Sequence, residues 1–104
     1  MSSELIIREV TTDHGPSVSV SGEIDIYTAQ QFKESLYHVV DASDKDVTID
    51  CGSLNYIDST GLGIFVGALK KTKLNGRNIY ITNMKDNIKK LFVITGLDKL
   101  FIIN

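Results

Sequence analysis

Between Asn55 and Phe65 the sequence reads NYIDSTGLGIF, which sets one carboxylate, Asp58, and two hydroxyls, Ser59 and Thr60, directly before apolar residues at helical spacing. Such a group at the start of a helix suits three kinds of chemistry. A serine beside a base can be a nucleophile, an exposed hydroxyl can accept a phosphoryl group, and first-turn amides can hold a phosphate. The nucleophile reading is the weakest. A nucleophile elbow needs glycine two residues before the serine, where this chain has Ile57, and no histidine lies nearby in sequence. Asp58-Ser59-Thr60-Gly61 is not the Asp-Thr-Gly or Asp-Ser-Gly triplet of aspartic proteases, because Thr60 intervenes, and neither a Walker sequence nor GxGxxG occurs. Ser59 therefore reads as a substrate, and no catalytic residue is expected. A small phosphate- or nucleotide-binding protein using the same helix start remains an alternative.

The glycines around this group need a reason. Gly61, Gly63 and Gly67 fall inside the helical pattern, where each costs about 1 kcal/mol relative to alanine. Gly61 and Gly63 are expected to leave the surface beside Ser59 unobstructed, so that a partner backbone can come close; the alternative is tight packing against the protein's own sheet. Ser59 is expected at the N-cap, with Thr60, Gly61 and Leu62 as the first turn.

Composition limits what can surround the site. The chain has 104 residues, 42% hydrophobic and 23% charged, and a net charge of −2. One domain spanning 1–104 is expected, with no electrostatic case for nucleic acid or an anionic membrane. The basic group Lys70, Lys71, Lys73 and Arg77 reads as a solvated helix end. No apolar run approaches the ~20 residues that cross a bilayer, and MSSELIIREV lacks the form of a signal peptide, so a cytoplasmic protein is expected. The single cysteine, Cys51, suits a small core position in a reducing compartment, and the distant His14 and His38 give no metal cluster.

The elements that must position the site follow from periodicity. SVSVSG (17–22) and DVTIDC (46–51) alternate strictly, as strands buried on one face do; LIIREV (5–10), NIYIT (78–82) and LFII (100–103) give three more. Helical patterns run through Ala29, Phe32, Leu36, Val39 and Val40; through Leu62, Phe65, Val66 and Leu69; and through Ile88, Leu91 and Phe92. Thr28 with Gln31 suggests a capping box, Gly96 a helix C′ position, and DHGPS and LNGRN turns. The order is β-β-α-β-α-β-α-β. It describes an α/β fold with a small mixed sheet and helices mainly on one face, since the strands alternate instead of being apolar throughout. GSLNYI is expected to connect the third strand to the second helix, in which Ile64 and Phe65 should divide between core and surface.

Three motifs, SGEIDIYTA (21–29), YIDSTGLGIFVGALKK (56–71) and KKLFVITGL (89–97), together resemble the STAS-domain anti-sigma-factor antagonists over essentially the whole chain. GEIDIYTA and GIFVGALKK look closest to the general-stress branch, while the sporulation branch shares the fold and the DSTGLG pattern. Lys85 departs from the serine-like cap of many relatives. The resemblance implies a STAS fold and a binding protein with no cofactor. It implies that Ser59 is phosphorylated by a partner that is both anti-sigma factor and serine kinase. The unmodified form would bind that partner and free the sigma factor, and a PP2C-type phosphatase would reverse the phosphorylation. It also implies that Asp25 lies near Asp58 and Ser59, giving a partner surface of Asp25, Asp58, Ser59, Thr60, Gly61, Gly63 and Ile64. A STAS subunit or sensor of a larger signalling assembly is the alternative within the same fold.

Overall fold

The computed structural model describes residues 4–104. Strands β1 (Leu5–Thr12) and β2 (Gly15–Ile24) are followed by α1 (Ala29–Ala42), β3 (Val47–Ile57), α2 (Ser59–Leu74), β4 (Ile79–Thr82), α3 (Asp86–Ile94), a short 3-10 turn (Leu97–Lys99) and β5 (Ile102–Ile103). Among the described residues these strands form one sheet in the order β1-β2-β3-β4-β5, with β1 antiparallel to β2 and every later pair parallel. Each parallel step is joined by a helix or a helix and turn, and each step moves the same way across the sheet. Right-handed crossovers then deliver all three helices to one face.

The packing agrees with that topology. Val18, Val20, Val47, Ile49, Cys51, Ile79 and Ile81 are buried beneath the helices, while Ser17, Ser19, Thr48, Asp50, Tyr80 and Thr82 alternate with them on the outer face. Every apolar residue expected to face inward from α1 does so: Ala29, Phe32, Leu36, Val39 and Val40. Phe65 of α2 is the centre of the core, with ring centroids 5.2 Å from Phe32 of α1, 5.5 Å from Phe92 of α3 and 6.0 Å from Phe101 before β5. Burying each ring contributes about 1.5–3 kcal/mol, so this cluster ties the three helices to one another and to the sheet.

Several boundaries differ from the sequence expectation. GSLNYI is not a connection: β3 continues through it to Ile57 and pairs with the second half of β2, Ser21 to Ser53 and Ile24 to Ile57. The register slips between Ser19 and Ser21 and again between Gly22 and Glu23, and such irregularities admit the glycine and polar residues that obscured the strand. β5 shrinks to two residues, leaving Leu100 outside it. The turn after β1 is narrower than DHGPS, because Gly15, at φ 120°, and Pro16 already belong to β2.

Arg77 is not part of a solvated basic end. It is buried, and its Nη1 donates to the carbonyls of Val40, Ser43 and Lys45, closing the loop between α1 and β3. Lys71 also has a partner, the carboxylate of Asp41 on α1 at 3.0 Å. Beside that pair Gly67 leaves room for the tip of Tyr37: a Cβ there would stand 2.0 Å from the tyrosine hydroxyl, which would have to move aside. Lys33 and Lys71 flank the Tyr37 ring, 5.6 and 5.1 Å from its centroid.

Candidate functional site

Strands β2 and β3 run parallel and finish side by side at Ile24 and Ile57. The residue after each is an aspartate. Asp25 opens the loop to α1 and Asp58 starts α2, and the two segments are joined where the Asp58 amide donates to the Ile24 carbonyl at 3.2 Å. Ligands of open α/β sheets bind outside the carboxyl ends of the strands, and both aspartates follow such ends. The topology thus brings Asp25, Asp58 and Ser59 to one end of the sheet.

Asp58, not Ser59, caps α2. Its backbone is extended at φ −107° and ψ −175°, its Oδ1 accepts the Gly61 amide at 3.1 Å, and its carbonyl accepts that of Leu62 at 3.0 Å. A carboxylate caps as well as a serine hydroxyl and adds a charge that suits the helix dipole, so the helix begins one residue earlier than expected. Ser59 becomes the first helical residue. It is exposed, as is Thr60, and the Ser59 hydroxyl makes no hydrogen bond among the described residues.

The loop before α1 is fixed by its own polar groups. Asp25 Oδ1 accepts the amides of Tyr27 at 2.9 Å and Thr28 at 3.2 Å, while Thr28 Oγ1 accepts the Asp25 amide and donates to the Glu23 carbonyl. Thr28 stands at the N-cap position without a side-chain bond to the helix, and Gln31 donates instead to the Leu5 carbonyl on β1. The expected capping box is therefore absent. This Asx-type turn presents Ile26, 69% exposed, and Tyr27, 78% exposed, as large apolar side chains outside the core. Sequence reasoning passed over both. Their signal was an apolar pair in IDIYT belonging neither to the strand alternation nor to the helix stripe.

The glycines separate into distinct cases. At Gly61 a Cβ would lie 2.6 Å from Ile57 Cγ1 and 2.7 Å from Ile24 Cγ2, so this buried glycine lets α2 settle on the ends of β2 and β3. Its reason is internal packing, and it offers no surface to a partner. Gly63 is exposed, and a Cβ there would meet nothing within 4 Å. Ile64 is also corrected. It is only 8% exposed and Phe65 is fully buried, because α2 has the sheet beneath it and α1 alongside. The accessible part of the expected surface is Ser59, Thr60 and Gly63 with half-buried Asp25 and Asp58.

Among the described residues no hydrogen bond links a base to Ser59, and Asp58 Oδ1 is engaged as the cap. Among the described residues no group of three or more histidine, cysteine, aspartate or glutamate side chains could hold a metal, and no helix is long and apolar enough to cross a membrane. Cys51 lies in the core, where burial first and the Asp50 charge second push its thiol up to about 12. It is a packing residue.

The STAS domain model matches residues 7–104. The chain belongs to the STAS-domain family. An anti-sigma-B factor antagonist of Staphylococcus epidermidis is 40% identical over 100 residues, covering 96% of this chain and 93% of that protein. The anti-sigma-B factor antagonist of Staphylococcus aureus NCTC 8325 is 39% identical over the same length and coverage. Among solved structures, an anti-sigma factor antagonist from Mycobacterium paratuberculosis superposes with a TM-score of 0.82 at 28% identity, covering 96% of this chain and 85% of that one. This STAS domain therefore combines the family's sheet with an exposed serine at the start of α2.

Proposed function

We propose that this STAS domain is an anti-sigma-factor antagonist whose binding is switched by phosphorylation of Ser59. The unmodified protein binds an anti-sigma factor that is also a serine kinase, and so releases the sigma factor. Transfer of a phosphoryl group to Ser59 ends that binding, and a PP2C-type phosphatase restores it. The observation that carries the reading is the placement of Ser59: first residue of α2, exposed, its hydroxyl without a partner among the described residues, beside the Asp58 cap and the Asp25 loop. A hydroxyl so placed can enter another protein's active site without unfolding its own helix.

The contact surface we assign consists of Asp25, Asp58, Ser59, Thr60 and Gly63, extended by Ile26 and Tyr27. Exposed aromatic and aliphatic groups beside charged ones form the usual anchor of a protein interface. Relatedness to anti-sigma-B factor antagonists supports the general-stress pathway. The test is incubation of the protein with the cell's anti-sigma kinase and ATP, followed by mass-spectrometric mapping. The phosphate is expected on Ser59, with labelling abolished in Ser59→Ala and kinase capture retained. A phosphate on Thr60, or full labelling of Ser59→Ala, rejects the assignment.

A further inference from the structure

Among the described residues no element covers the side of α2 turned away from α1. Val66, Leu69, Lys70, Lys73 and Leu74 fall at i, i+3, i+4, i+7 and i+8, one continuous helical stripe, and with Leu100 they line a groove of about 650 Å³. Leu74 is 87% exposed and Leu100 51%. Isolated surface leucines are ordinary; here Leu74 and Leu100 gather with Val66 and Leu69 in one groove. Charge narrows the occupant. Among the described residues lining the groove none is acidic, and neither Lys70 nor Lys73 is in an ion pair: Lys73 donates to the neutral amide oxygen of Asn78 at 2.6 Å. In a chain of net charge −2, this groove has a basic rim.

We propose that this groove is a second docking surface, occupied by an acidic amphipathic helix of a protein partner. Leucine-type anchors at i, i+3 or i+4, and i+7 of that helix would fill the space between Leu69, Leu74 and Leu100, and its flanking carboxylates would meet Lys70 and Lys73. Docking here is independent of the Ser59 switch. At 1.5 Å per residue the stripe lies about 10–22 Å from Ser59 along α2, at or beyond the ~8 Å over which physiological salt screens an exposed charge.

The test uses two designed helical peptides with identical leucine spacing, one flanked by glutamates and one by lysines, titrated into the full-length protein and followed by NMR. The glutamate peptide should shift Val66, Leu69, Leu74 and Leu100 and bind more weakly as salt rises. Leu100→Glu should lower its affinity about tenfold or more, and Lys70→Glu with Lys73→Glu should transfer the preference to the lysine peptide. Ser59→Asp should leave the affinity unchanged, which separates this site from the kinase surface. Equal binding of both peptides, absence of binding, or shifts outside the groove overturns the proposal. So does a concentration-dependent dimer that Leu74→Glu dissolves, because the occupant would then be a second copy of the chain.

Discussion

Ser59 can change without disturbing the fold, because its neighbour does the capping. Ser59→Ala should therefore alter stability by no more than about 0.5 kcal/mol, whereas Asp58→Ala should cost about 0.5–2 kcal/mol through the lost bond to the Gly61 amide. Chemical denaturation of both variants checks the division of roles. The glycines give a sharper contrast. Gly61→Ala forces a methyl against Ile57 and Ile24 and should destabilise by about 1–3 kcal/mol, while Gly63→Ala enters open space and should gain up to about 1 kcal/mol of helix propensity. Equal melting temperatures for the two would refute the packing account. Cys51 supplies a pH test. Its thiol is held neutral in the fold up to about 12 against 9.0 for the free group, so the unfolded chain loses its proton first. Its contribution to stability is intact below pH 9 and declines as pH rises from 9 toward 12. A Cys51→Ala variant should show less of this alkaline decline in denaturation midpoints.

Elements were legible wherever local pattern and tertiary demand agreed. α1 was readable to the residue on its buried face because a helix with one buried stripe writes that stripe into sequence. The second half of β3 was not, because Gly52, Ser53 and Asn55 read as a turn and only the bulged pairing with β2 makes them a strand. The start of α2 was legible from DSTGLG, but Asp58 and not Ser59 caps it, since both residues suit an N-cap and only geometry chooses between them. Ile64 was misplaced because its burial depends on α1, a neighbour distant in sequence. Arg77 shows the same limit: its charge suggested solvent, yet it joins α1, the following loop and the start of β4. Removing a buried donor shared by three carbonyls leaves that of Val40 buried without a partner and frees the part-buried bonds to Ser43 and Lys45, so Arg77→Ala should cost about 1–3 kcal/mol and Arg77→Lys nearly as much. Thermal unfolding measures the loss. A change below about 0.5 kcal/mol would show that the loop closes without it.

At the scale of the whole molecule, the switch should act at the surface and leave the sheet alone. A phosphate on Ser59 brings about −1.5 to −2 charge at pH 7 to a helix start already bearing Asp58, and the dipole there returns roughly 0.3–1 kcal/mol. The free domain thus has little cause to rearrange, but an interface shaped for a hydroxyl must bury that charge unpaired. Kinase affinity is expected to fall about 100-fold or more, with NMR shifts confined to residues around Ser59 and the Asp25 loop. Shifts spread through β2 and β3 would indicate a conformational switch, and unchanged affinity would remove the mechanism. The order of the sheet carries a different consequence. Spatial order equals chain order from β1 to β5, so each strand can dock on its predecessor as soon as it is made. No gap must be held open for a later segment. Only the β1–β2 hairpin closes a short loop; parallel pairings such as Val47 with Ile79 and Tyr80 with Ile102 must wait for a whole crossover and form more slowly. The sheet can therefore grow from the hairpin edge while the chain is still leaving the ribosome, with Phe101 arriving last to complete the aromatic cluster around Phe65.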